Sequence, residues 1–146
     1  MKPFRHIVAS ALLGLMFLIF IRPFWAALAA FLAGVFIDLD HLIDFWALKP
    51  DNLFSVKDFL DSEKHDRQAK WVFVFLHSWE LIAALWLLAF IGHWPTLVTA
   101  LAAGFTLHMI MDIANLRSPK MHPLTYSLIF RAVKKFKKTD LLAEKS

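Results

Sequence analysis

Nine ionisable residues interrupt or border the apolar stretches of this 146-residue chain: His6, Asp38, Asp40, His41, Asp44, His77, Glu80, His108 and Asp112. An ionisable side chain at the centre of a membrane helix costs about 2.5–3.5 kcal/mol on insertion scales, so such residues are candidates for function by default. The chain has no cysteine, which excludes disulfides and thiolate metal sites. Any metal must be held by nitrogen and oxygen donors, a set that suits Zn²⁺ and also Mn²⁺ or Fe²⁺. With this many donors, one or two ions are conceivable, and a two-metal centre uses a bridged water to attack an ester or phosphoester. No glycine-rich phosphate loop is present. Ser78 adjoins His77 in sequence only, a poor basis for a catalytic dyad.

Spacing brings the candidates into register. His108 and Asp112 are four residues apart and His77 and Glu80 three apart, so each pair shares one face of a helix. Asp38, Asp40, His41 and Asp44 fall within about half of a helix circumference at 100° per residue. If a helix starts at Trp71, His77 lies about 9 Å inside it, and His108 lies a similar distance from Asn115. Rows of small residues lead toward these positions: Ala26, Ala30 and Gly34 toward Asp38, Ala100 and Gly104 toward His108, Ser10 and Gly14 toward His6. Such rows let membrane helices pack closely. Taken singly, each residue has a plainer reading. A lone histidine can be a hydrogen-bonded packing residue, Asp40 and Asp44 can be solvated at a helix end, Glu80 can pair with His77, and Asp112 can merely orient His108. Their convergence predicts a polar site. His65, His93 and His122 fall outside it.

The elements that must position these residues are apolar helices. Hydrophobic residues make up 59% of the chain, with 15 Phe and six Trp against one Tyr. Apolar runs cover residues 7–21, 24–37, 71–91 and 97–113, and a spanning helix needs roughly 20 residues. The last two qualify. The first two span if Arg22 snorkels and the second helix continues toward Phe45. Arg22-Pro23 and the Gly92–Pro95 stretch make tight joints. A cleaved signal peptide is the alternative for the first run. Four spans, the last ending at about residue 113, put the N-terminus, the loop at 38–70 and everything after the fourth span on one side, and that side collects every Lys and Arg except Arg22. The positive-inside rule makes it cytoplasmic. The expectation is an all-α membrane bundle of about four transmembrane helices over residues 1–118, with a polar cytoplasmic loop at about 46–70 and a short helix around residues 56–60. In the tail, 119–146, Tyr126, Phe130, Val133 and Phe136 recur at helical spacing beside Arg131, Lys134, Lys135, Lys137 and Lys138. This predicts an amphipathic helix on anionic lipids of the inner leaflet. Nucleic-acid binding needs a larger basic surface.

The order of His6, Ile37-Asp38-Leu39-Asp40-His41, His77-Ser78 and Gly104-x-x-x-His108-x-x-x-Asp112 resembles the membrane-bound metal-dependent hydrolase family of YdjM-like inner-membrane proteins. The resemblance runs from His6 to about Pro119. It implies an integral membrane protein of the prokaryotic inner membrane. It also implies a metal-dependent hydrolase site with His6, Asp38, Asp40, His41, His77, His108 and Asp112 as ligands. More distantly, the scheme is similar to that of zinc phospholipase C. The chain departs from the family where His-Arg-Gly often precedes the Thr-His-Ser element; here that stretch is Val72-Phe73-Val74-Phe75-Leu76. Glu80, in His77-Ser78-Trp79-Glu80, is the candidate substitute.

The expected function is hydrolysis of an ester or phosphoester, lipid or lipid-linked, near the cytoplasmic headgroups, with Glu80 as candidate base and Asp40 completing the site. The same residues could instead line an ion or proton pathway, or fix helix packing without catalysis. A pathway must continue outward, and residues 81–91 carry no charge.

Overall fold

Runs rich in Ala and Leu with no interior proline form helices readily. The computed structural model describes residues 3–41, 70–115 and 123–141. Among these it is all-α. The four apolar runs give α1 (Pro3–Phe20), α2 (Phe24–Phe36), α3 (Trp79–Ile91) and α4 (Pro95–Asn115). A 3-10 turn, Ile37–Asp40, follows α2. The C-terminal part holds a 3-10 turn Pro123–Tyr126, a short α5 (Leu128–Val133) and a 3-10 turn Lys138–Leu141. Among the described residues there is no strand, only an isolated antiparallel bridge between Trp71 and Lys137. Asp44, Phe45, His65, His122 and the short helix expected around residues 56–60 lie outside the described residues.

The chain divides into two units, Met1–Ile37 with Trp79–Arg117, and Asp38–Ser78 with Ser118–Ser146. Within the second unit the described residues 123–141 pack with residues 70–78.

In the first unit the helices form two hairpins. α1 closes at Arg22, which takes a left-handed φ of 76° and donates its N–H to the Phe17 carbonyl at 3.0 Å. Glycine usually fills this role; here Pro23 follows at once and stops the helix from continuing. The second reversal uses Gly92, whose N–H bonds the Leu88 carbonyl at 2.8 Å, and Pro95 as the first residue of α4. α2 packs against both α1 and α4, and α3 against α4.

The interior of this unit is built from small residues. Ala26, Ala30, Ala33, Gly34, Ala100, Ala102 and Gly104 are buried, while large apolar side chains face outward, Phe90 at 89% exposure. Phe4, Phe20, Leu87 and Ile91 are exposed in the same way. A Cβ added at Gly104 would lie 2.5 Å from the Ala30 carbonyl oxygen and 2.7 Å from the Ala33 Cβ, and one at Gly34 would collide with the Ser10 hydroxyl. The rows of small residues are thus the helix contacts themselves. Among the described residues, Pro95–Ala114 is the helix long and apolar enough to cross a membrane; Phe4–Phe20 and Trp79–Ile91 are apolar but shorter.

The second unit departs from expectation twice. The helix expected from Trp71 begins only at Trp79, and residues 70–78 are irregular. Val72-Phe73-Val74-Phe75 alternates β-branched and aromatic residues, which favour extended backbone. The expected continuous amphipathic helix through residues 126–136 stops at Val133. Ser127 caps its start by accepting the Phe130 N–H at 3.1 Å, and Lys135 and Phe136 both take left-handed φ, at 52° and 57°. That reversal sends Phe136 back against Phe73 and Phe75, with ring centroids 5.3 and 6.0 Å away. It also pairs Val72 N–H with the Phe136 carbonyl and Lys138 N–H with the Lys70 carbonyl, each at 2.9 Å.

Replacing Gly104 with Val is expected to force α2 and α4 apart at a cost of about 1–3 kcal/mol, the usual range for overpacking. A lowered thermal midpoint of the detergent-solubilised protein would report it, and Ala103→Val, at a half-buried neighbour, should move the midpoint far less.

Candidate metal centre

The donors gather into two triples, one in each unit. In the first, His6 from the first turn of α1 meets His108 and Asp112 from the last turns of α4. His6 Nε2 lies 3.2 Å from Asp112 Oδ1, and His108 Nε2 lies 3.4 Å from Asp112 Oδ2. One donor atom from each residue lies within 4.8 Å of the others, close enough for the three to share one metal ion. His108 Nδ1 donates to the Gly34 carbonyl at 2.8 Å. A carbonyl can only accept, so this bond assigns the proton to Nδ1 and leaves Nε2 facing the carboxylate, the arrangement a metal-binding histidine takes. The His6 and His108 rings stack with centroids 4.0 Å apart at 25°. Two imidazolium rings in that position would repel, whereas a divalent ion between both Nε2 atoms and the carboxylate satisfies all three. His6 Nδ1 is buried with no hydrogen-bond partner among the described residues. Both histidines are buried and Asp112 is mostly so. This is a closed site.

The second triple is Asp38, His41 and His77, whose donor atoms also lie within 4.8 Å of one another. His77 Nε2 is 3.4 Å from Asp38 Oδ1, and His41 Nε2 is 3.9 Å from the same oxygen. His77 is buried at 1%, but the His41 and Asp38 side chains are 47% and 41% exposed. One fixed ligand and two solvent-facing ones make an open site.

Asp40 stands behind His77 rather than beside Asp38 in front of it. Its carboxylate oxygens lie 3.1 and 3.2 Å from His77 Nδ1, and Oδ2 accepts the Leu76 N–H at 2.8 Å. A carboxylate on the far nitrogen fixes the ring and raises its basicity toward a metal. Burial alone would lower the His77 pKa. The hydrogen bonds and charges of Asp38 and Asp40 outweigh it, and the pKa is raised to about 9. In the absence of a metal, a proton supplies the positive charge that the two carboxylates favour.

The seven expected ligands therefore resolve into His6, His108 and Asp112, and into Asp38, His41 and His77 with Asp40 orienting the last. Glu80 occupies the first turn of α3, half-buried, and belongs to neither triple. It does not share a helical face with His77, because His77 precedes α3. His93 is exposed at the α3–α4 reversal.

Arg131 was not anticipated. Grouped with the lysines that follow, it reads as part of a basic surface, yet it is 0% exposed. Its guanidinium donates to the carbonyls of Phe73 at 3.3 Å, Val74 at 2.8 Å, His77 at 2.8 Å and Ser127 at 3.4 Å. One signal in the sequence separates it from Lys134, Lys135, Lys137 and Lys138: its neighbours Phe130, Ala132 and Val133 are all apolar.

No family model matches the chain, and no curated protein or solved structure matches it.

Because the folded pKa of His77 is raised above the ordinary imidazole value of 6.5, its stabilising contribution is full below about pH 6.5 and is lost as pH rises through about 9. The thermal midpoint of metal-free protein should fall between pH 6.5 and 9.5, and His77→Gln should flatten that slope. An unchanged slope in the variant would assign the dependence to another group.

Proposed function

We propose that the chain is a multi-pass protein of the prokaryotic inner membrane, a metal-dependent hydrolase acting on an ester or phosphoester near the cytoplasmic face. The observation that carries this reading is the Asp38–His41–His77 triple: a nitrogen–oxygen donor set with one buried, carboxylate-oriented histidine and two ligands open to solvent. Catalytic metal sites differ from structural ones by keeping such an open position.

The membrane assignment rests on the first unit. Its interior is mostly Ala, Gly, Ser and His, with Ile37, Ile82 and Met109 beside them, and its surface is largely Leu, Ile, Phe and Trp. Water would penalise that surface heavily; lipid would not. α2 and α3, at 13 residues each, are short for a bilayer, which short spans accommodate by local thinning and by snorkelling of flanking residues. Four spans with basic residues 2–5, 49–70 and 117–138 on one side place both termini in the cytoplasm. The resemblance to membrane-bound metal-dependent hydrolases supports the same class. It also favours a lipid or lipid-linked substrate, since a soluble one needs no enzyme anchored in the bilayer.

A divalent ion, zinc by preference, would supply an activated water and polarise the ester or phosphoryl oxygen when bound. The chain's own residues do the rest. Asp38, His41 and His77 would hold the ion, and Asp40 keeps the His77 ring turned so that Nε2 faces Asp38. The burial of His6, His108 and Asp112 favours a second, non-catalytic role for that triple, a clamp joining the start of α1 to the end of α4.

Elemental analysis of gently extracted protein tests both roles. One or two equivalents of zinc or manganese are expected. His77→Ala should lose one equivalent together with hydrolysis of phospholipid or model phosphoesters. His108→Ala should lose metal and thermal stability together. Metal-free wild-type protein would sink the hydrolase reading, and metal without hydrolysis of any ester would leave a binding protein.

A further inference from the structure

The irregular segment at residues 70–78 raises an accounting problem. Outside a helix or sheet, its backbone carbonyls have no regular partners, and buried polar groups must be satisfied. Arg131 answers it for three of them. Nη1 reaches the carbonyls of Phe73 and Val74, and Nη2 reaches that of His77. The Val74 carbonyl also accepts the His77 N–H at 3.1 Å, so guanidinium and backbone together close the 74–77 turn. Asp40 takes the remaining handles, the Leu76 N–H and the His77 ring. Arg131 itself is held by α5, through the Ser127 carbonyl and the N-terminal cap of that helix.

We infer that Arg131 is a positioning residue for the open metal site: its buried guanidinium fixes the Phe73–His77 backbone so that the His77 ring is aimed at Asp38 and His41. The inference rests on the reading that Asp38, His41 and His77 bind a metal. It assigns the C-terminal segment a part in building the site, where its basic composition suggested membrane contact alone. The chemistry selects arginine. A planar fork can bond several carbonyls at once at fixed angles, whereas the lysine ammonium is a compact point charge that cannot span the Phe73–His77 turn in the same way. Lys134, Lys135 and Lys137 remain exposed and take no part in this brace.

The test uses full-length, detergent-purified protein stripped of metal and titrated with Co²⁺, whose visible absorption reports ligand geometry. Wild type should show two classes of site, and His77→Ala should remove one of them. Arg131→Met should weaken that same class by about 10–100-fold, the usual effect of removing an outer-shell partner, and alter its absorption while sparing the other class and the helical circular dichroism. Arg131→Lys should recover part of the affinity. Wild-type affinity and absorption in Arg131→Met would overturn the inference. If that variant does not fold, Arg131→Lys decides: a folded protein with weakened, altered cobalt binding at the His77 class supports positioning, and wild-type binding overturns it. Loss of fold in both variants also overturns it, since the arginine would then serve the fold as a whole. Equal cobalt binding by wild type and His77→Ala would instead defeat the underlying metal assignment, whatever Arg131 does.

Discussion

The approach of Gly104 to the backbone of α2 sets the geometry of the helical unit. With no side chain at Gly104 or Gly34, the two helices come close enough that a single added carbon would meet the Ala30 carbonyl and the Ala33 side chain. One turn beyond Gly104, His108 uses that proximity to reach the Gly34 carbonyl at 2.8 Å. The bond fixes the tautomer, the tautomer frees Nε2, and Nε2 faces Asp112 beside the stacked His6. A larger residue at the crossing would move the ring away from its acceptor and the cluster would lose its orientation. Helices whose large apolar side chains point outward hold together through such close contact, because no interdigitated core of leucines is there to do it.

The second unit solves a different problem. His77 lies on irregular backbone, where no helix dictates the side-chain direction. Two charged residues of opposite sign supply the missing order. Asp40 gathers an N–H and an imidazole nitrogen, and Arg131 gathers three carbonyls of the same short segment. The closed triple is thus rigid through packing and the open one through hydrogen bonding. That difference suits a clamp in one case and a site that must admit a ligand in the other.

Much of the helical unit was legible from residue types alone. The positions of the apolar runs, the joints at Arg22-Pro23 and Gly92–Pro95, the small-residue rows and the pairing of His108 with Asp112 all follow from periodicity and spacing. His77 was legible as a candidate donor but not in its setting. Periodicity cannot separate a short apolar run from the first turns of a helix, so 71–78 merged with the helix that follows. The same ambiguity joined Phe130 and Phe136 into one helical face, although two left-handed residues intervene at Lys135 and Phe136. Arg131 was illegible for a related reason. Its partners on the 73–77 segment lie 54 to 58 residues away in sequence, and no local pattern encodes a contact of that span. The division of seven donors into two triples depends equally on three-dimensional arrangement.

Each triple also joins distant parts of the chain. His6 emerges from the ribosome about a hundred residues before His108, and His77 well before the arginine that braces it. At a synthesis rate of roughly 5–20 residues per second, His6 waits about 5–20 s for its partners. Until then the early donors are exposed to whatever ions and chaperones surround the nascent chain. A metal held by either triple would therefore be bound only after both of the chain segments that build it have been made.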